Sequence, residues 1–240
     1  MEKNAKAEFL EQLAAHLELL RVPGADFVVK DGSGEALNVA AGPGPKTRCD
    51  DEEGSGLERI NRLVLECRRC PLAAERTRAV PGEGHPRAEL MFVGEGPGRD
   101  EDAQGRPFVG RAGQLLRRII AAMKFREDEV YITNVVKCRP PENRVPRREE
   151  VEACAPFLLK QIDLIQPRVI VSLGKTPTEF FIPSGHVSMS SLRGRFADFQ
   201  GIKVMPTFHP SYLVRNEGKR ELKRMVWEDM QKVMEFLGRK

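Results

Sequence analysis

Four short runs of apolar, mostly β-branched or aromatic residues, 89–93, 130–133, 168–172 and 204–208, recur along the second two-thirds of the chain. Runs this short, without a polar alternate face, suit strands buried on both sides of a largely parallel sheet. Helical periodicity marks the stretches 58–67, 112–124, 147–165, 175–181 and 219–238. The last carries Leu222, Met225, Val226, Val233, Met234 and Leu237 on one face and Arg220, Lys223, Arg224 and Lys232 elsewhere, the pattern of a helix covering a sheet. Strands alternating with helices predict the α/β class: three αβα layers around a central, mostly parallel four-stranded sheet. In such folds the ligand site lies outside the carboxyl ends of the strands. The distinctive motifs all fall there: Gly94-Glu-Gly-Pro-Gly98 after the first run, Asn134 after the second, Gly174-Lys175 after the third and His209-Pro-Ser after the fourth.

Cysteine placement narrows the chemistry. Cys67 and Cys70 form a C-x-x-C pair, and Cys138 and Cys154 follow with fifteen residues between them. Four soft thiolates suit a [4Fe–4S] cluster or a zinc site, with scattered buried cysteines as the plainer alternative. Disulfides rank below both. Residues 1–20 mix Glu, Lys and His among their apolar residues, unlike a signal peptide, and no segment reaches the roughly 20 apolar residues of a membrane span. A cytoplasmic chain with no membrane partner is expected, where thiols stay reduced. Cys49 lies beside Asp50, Asp51, Glu52 and Glu53, which disfavour a thiolate, and reads as a bystander.

The net charge of +4 conceals a division. Residues 1–58 hold 6 Lys and Arg against 12 Asp and Glu, and the remainder is strongly basic. A basic domain behind an acidic leader fits a nucleic-acid binder. Residues 1–57 read as an N-terminal extension: a short amphipathic helix on Phe9, Leu10, Leu13, Leu17, Leu19 and Leu20, then a Gly-, Pro- and acid-rich linker. That helix docks on the domain or on a protein partner. Residues 58–240 form the domain proper.

Gly94–Gly98, Glu101-Asp102, Gly105-Arg-Pro-Phe-Val-Gly110, Thr133-Asn134, the four cysteines and His209-Pro-Ser-Tyr-Leu213 occur together and in order. In this the chain resembles the family 4 uracil-DNA glycosylases over roughly residues 58–238. The resemblance implies a monomeric, monofunctional base-excision-repair enzyme that flips uracil out of single- or double-stranded DNA. Such an enzyme hydrolyses the N-glycosidic bond and leaves an abasic site. It implies a [4Fe–4S] cluster on Cys67, Cys70, Cys138 and Cys154. Phe108 is then the residue that stacks on the base, and Asn134 the one that accepts from uracil N3–H and donates to O4. His209 stabilises the leaving uracil, and Glu95 orients water or steadies the sugar cation. Glu101 and the backbone of Gly96, where the better-known branch has Asp, complete the uracil pocket. Gly98 stands where thymine-excluding enzymes place a ring.

Lys175, Arg193, Arg195, Ser211 and Arg215 are expected on DNA phosphates, and Leu213 as a wedge in the gap left by the flipped base. Between Cys138 and Cys154 lies a basic, Pro-rich loop that would offer Arg144, Arg147 and Arg148 to DNA. A related branch bonds covalently to its product through a histidine in this loop. None occurs here, so turnover is expected. The competing classes are a non-catalytic Fe–S or zinc DNA-binding module, a phosphate-binding α/β protein and a redox sensor. The first has no need of Asn134 and His209 at strand ends. The second is disfavoured by Glu95 inside the loop and by the missing Walker sequence. The third requires activity that follows the oxidation state of a cluster.

Overall fold

Each of the four apolar runs becomes a strand: Leu90–Gly94 (β2), Tyr131–Asn134 (β3), Val169–Leu173 (β4) and Ile202–Thr207 (β6). These come from a computed structural model that describes residues 56–182 and 188–239. The expected N-terminal helix, its linker and Cys49 lie outside the described residues. The four strands are mutually parallel in the order β3-β2-β4-β6. The sheet is wider than the expected four strands. Glu83–Gly84 (β1) and Ala197–Phe199 (β5) add antiparallel edges, giving six strands in the order β1-β3-β2-β4-β6-β5. At two and three residues they are too short for periodicity to reveal.

The helices are Gly56–Glu66 (α1), Leu72–Glu75 (α2), Arg99–Gln104 (α3), Arg111–Ala122 (α4), Arg148–Ile165 (α5), Lys175–Phe181 (α6), Met189–Leu192 (α7), Pro210–Arg215 (α8) and Arg220–Leu237 (α9). One face of the sheet carries Leu90, Phe92, Ile132, Val169, Val171 and Met205, packed against Leu116 and Ile120 of α4, Leu213 of α8 and Val226, Met230 and Val233 of α9. Each such side chain contributes about 1.5–3 kcal/mol by leaving water. The other face carries Tyr131 and Thr133 toward α5, where Gln161 Nε2 donates to the Pro81 carbonyl at 2.9 Å and to Tyr131 Oη at 3.2 Å. Among the described residues no helix is long and apolar enough to cross a membrane.

The chain runs outward from β2 to β3, then returns to β4 on the other side of β2. Connections therefore leave the adjacent ends of β2 and β4 in opposite directions and open a crevice there. Strand register aligns Gly94 with Asn134 and Leu173 with Thr207, so every motif at a strand end faces that one opening.

Candidate active site

A cleft of about 500 Å³ occupies the crevice, within the size range of small-ligand sites. The 95–98 turn, Phe108, residues 173–175, His209, Ser211 and Arg215 line it, with Pro140 and residues 143–145, and the buried Asn134 forms its floor.

Asn134 is 2% exposed, and its Oδ1 is buried without a hydrogen-bond partner. An orphaned carboxamide oxygen costs about 1–3 kcal/mol unless something donates to it. Lys137 holds the strand end from behind. Its buried ammonium donates to the Asn134 carbonyl at 2.8 Å, to Gln161 Oε1 at 2.7 Å and to Thr133 Oγ1, so three acceptors meet its three hydrogens. Gly94, beside Asn134, has no alternative: a Cβ there would lie 2.4 Å from Asn134 Oδ1 and 2.6 Å from Phe108 Cζ. Any side chain at 94 would fill the floor of the cleft.

Phe108 adopts a left-handed backbone with φ 53°, strained for a bulky residue by about 1–3 kcal/mol. Glu101 holds that turn. Its Oε1 accepts from the N–H groups of Val109 and Gly110, both at 2.9 Å, and its Oε2 accepts from Gly98 N–H at 3.1 Å. One carboxylate thus ties the Gly94–Gly98 turn to the Phe108 turn, and Glu101 makes no hydrogen bond to Asn143. Asn143 instead accepts from Arg139 Nε at 2.9 Å. Close approach of α4 needs Gly113, where a Cβ would lie 1.7 Å from the Phe108 carbonyl oxygen.

His209 stacks on Phe108, with centroids 5.8 Å apart and planes at 28°. Its Nδ1 accepts from Ser211 N–H at 3.1 Å and lies 2.8 Å from Ser211 Oγ. A backbone N–H can only donate, so Nδ1 is the acceptor and the proton resides on Nε2. Burial, reinforced by the Arg215 charge, pulls the imidazole down from 6.5 to about 4. His209 is therefore a neutral Nε2–H donor at physiological pH. Glu95 accepts from Thr176 Oγ1 through Oε2, which fixes one carboxylate oxygen.

Of the expected phosphate contacts, Lys175, Ser211 and Arg215 line the cleft, and Arg215 Nη1 reaches Ser211 Oγ at 3.3 Å. Three other assignments are displaced. Arg193 pairs with Asp229, which is fully buried, and also donates to the Met225 carbonyl. Thr207 Oγ1 donates to the same carboxylate at 2.6 Å. Arg193 is a brace between α9 and the sheet. Arg195 is exposed but does not line the cleft. Leu213 is 2% exposed inside the core, because α8 begins directly after His209 and turns this residue inward. Arg193→Ala is expected to cost about 3–5 kcal/mol of stability by stranding Asp229. Denaturant unfolding measures that loss.

Cys67, Cys70, Cys138 and Cys154 converge on one small cavity between α1, α2 and α5. Arg76 Nη1 donates to Cys138 Sγ at 3.0 Å, and Lys137 N–H donates to Cys154 Sγ at 3.3 Å. Burial raises the Cys70 and Cys138 thiols and pushes Cys154 up to about 12. Thiols this desolvated become thiolates by gaining a metal partner. Four thiols around one cavity, two of them met by N–H donors, are a donor set that suits a thiolate-bound metal centre.

Sequence reasoning missed Lys137 and Thr176. A lysine between Val135-Val136 and Cys138 is a charge inside a buried run, and that is the signal that would have found it. Thr176 carries no local signal; only the fold brings it to Glu95.

A sheet with this switch point and this set of strand-end residues defines a class. The model of the uracil DNA glycosylase superfamily matches residues 81–231. A type-4 uracil-DNA glycosylase of Thermotoga maritima is 50% identical over 182 residues, 75% of this chain and 94% of that protein. One of Sulfurisphaera tokodaii is 45% identical over 188 residues, 75% of this chain and 84% of that protein. A type-5 uracil-DNA glycosylase of Pyrobaculum aerophilum is 31% identical over 192 residues, 67% of this chain and 84% of that protein. The chain belongs to the uracil DNA glycosylase superfamily, within its type-4 family.

Proposed function

We propose that this protein excises uracil from single- or double-stranded DNA as a cytoplasmic monomer and leaves an abasic site, with residues 58–240 as the catalytic domain and 1–57 as an appended extension. The observation that carries this reading is the orphaned Oδ1 of Asn134 on the floor of the cleft. Uracil N3–H is the donor it lacks, and the Asn134 amide donates to O4 in return. Cytosine offers an acceptor at N3 and a donor at C4, so both Asn134 groups go unpaired. Sites built on such pairing reject the mismatched partner by about 10⁴–10⁵. Phe108 stacks on the base, and Glu101 keeps its strained turn in place.

In the reaction the C1′–N1 bond breaks and its electron pair moves onto uracil N1 and O2. His209 Nε2–H donates to O2, and the bond strengthens as charge develops. The sugar becomes an oxocarbenium-like cation, to which the oxygen of a water adds. Glu95, one oxygen held by Thr176, orients that water with the other, takes up its proton and balances the cation. The Gly96 backbone borders the same space. Lys175, Ser211 and Arg215 hold the flanking phosphates. Free uracil, the product, should raise the melting temperature of the protein while free cytosine does not; equal shifts would remove Asn134 from base reading.

Cys67, Cys70, Cys138 and Cys154 hold a [4Fe–4S] cluster whose contribution is structural. Cys138 and Cys154 bracket the loop from Arg139 to Arg148, so a cluster held by them would pin that loop. The purified protein should absorb broadly near roughly 400 nm, where thiolate-bound iron–sulfur centres absorb. A colourless protein carrying one equivalent of zinc would replace iron in this account.

A further inference from the structure

A flipped base leaves a hole in the stack, and enzymes that flip bases hold it open with an apolar side chain. Leu213, the wedge expected from the motif, is buried and cannot serve. Among the described residues the exposed large apolar side chains are Leu63, Leu65, Val145, Phe196, Tyr212 and Phe236. Of these, Val145 alone lines the cleft, and at 65% it is the most exposed. A single exposed valine is ordinary; what distinguishes this one is how firmly the chain presents it.

Val145 sits between two fixed points. Arg144 makes a two-pronged pair with Glu150 at 2.8 and 2.7 Å and donates to the Val145 carbonyl at 3.1 Å. Arg147 N–H donates to the same carboxylate at 2.7 Å. Glu150 is 2% exposed and Pro146 is buried, so the backbone on both sides is anchored while the isopropyl group points into water. Valine is stiff about χ1, which suits a wedge. Arg147 and Arg148 are exposed beside it, and Lys175 and Arg215 line the same cleft. An apolar tip flanked by the exposed Arg147 and Arg148 suits a stack of bases bordered by phosphates.

We propose that Val145 is the wedge that enters duplex DNA when uracil leaves it. The inference rests on the cleft being the uracil site. It predicts a penalty confined to duplex, because a single strand has no opposing stack to hold apart.

The test measures single-turnover uracil release from one oligonucleotide, single-stranded and paired with guanine opposite the uracil. Val145→Ala should slow release from the duplex by about tenfold and from the single strand by less than about twofold, whereas Val145→Leu keeps the duplex rate. A 2-aminopurine beside the uracil should brighten on binding the parent and stay dim with Val145→Ala. Equal losses on both substrates, an unchanged duplex rate, or a parent that releases uracil only from single strands would overturn the assignment. Leu213→Ala provides the contrast: its melting temperature should fall while its duplex-to-single-strand ratio holds, and a fall in that ratio would return the wedge to Leu213. A parent inactive on both substrates would instead sink the uracil reading on which the wedge depends.

Discussion

His209→Ala is expected to lower single-turnover uracil release by about 10²–10³-fold, the loss typical of one preorganised donor to a developing anion, with DNA affinity little changed. Ser211 N–H claims Nδ1, so the proton stands on Nε2 without a search between tautomers. Burial keeps the ring neutral down to about pH 4, and a neutral donor needs no protonation step. The parent's rate should therefore stay level as pH falls through 6.5, the ordinary titration point of histidine, and decline only toward 4. The stability effect has a definite sign. Because the folded state binds fewer protons than the unfolded chain between about 4 and 6.5, the contribution of His209 is complete above 6.5 and is lost as pH falls to about 4. His209→Ala should flatten that part of the stability profile. A parent whose rate halves near pH 6.5 would mean that the imidazolium is the working form.

Asn134→Ala is expected to combine a loss of activity with no loss of stability. Two hydrogen bonds to the base disappear, lowering uracil release by about 10²–10³-fold. The preference for uracil over cytosine should shrink with it. In the free protein, by contrast, the substitution removes a buried oxygen that has no partner. Relief of about 1–3 kcal/mol offsets the lost packing, so the melting temperature should hold or rise. An ordinary buried core residue would show the opposite pairing, with stability falling and activity following it. Measuring kcat/KM and melting temperature on one preparation separates the two.

Much of this architecture was legible in the sequence because its signals are local. Phe92, Val93, Ile170 and Val171 lie in fully buried strands, and such strands read as unbroken apolar runs. The long helices α4, α5 and α9 carry enough turns for their periodicity to register. The edge strands and the short helices α3 and α8 do not, and α8 is where the local reading misled. The motif His209-Pro-Ser-Tyr-Leu213 offers its leucine as a DNA wedge, yet Pro210 begins a helix that carries Leu213 into the core. Arg193 was misread for a different reason. Its partner Asp229 lies 36 residues away, and the clue was an acid on the apolar face of α9 beside Val226, Met230 and Val233. Glu101 lines the cleft, but its work on three backbone N–H groups depends on two turns meeting in space and has no local signal.

The most direct test is alkali-revealed strand cleavage of a labelled oligonucleotide bearing a single uracil, with the parent, His209→Ala and Asn134→Ala run side by side. The account predicts cleavage at the uracil by the parent, little or none by either variant over the same time, and none where cytosine replaces uracil. Full cleavage by both variants, or none by a parent that carries its metal, would contradict it.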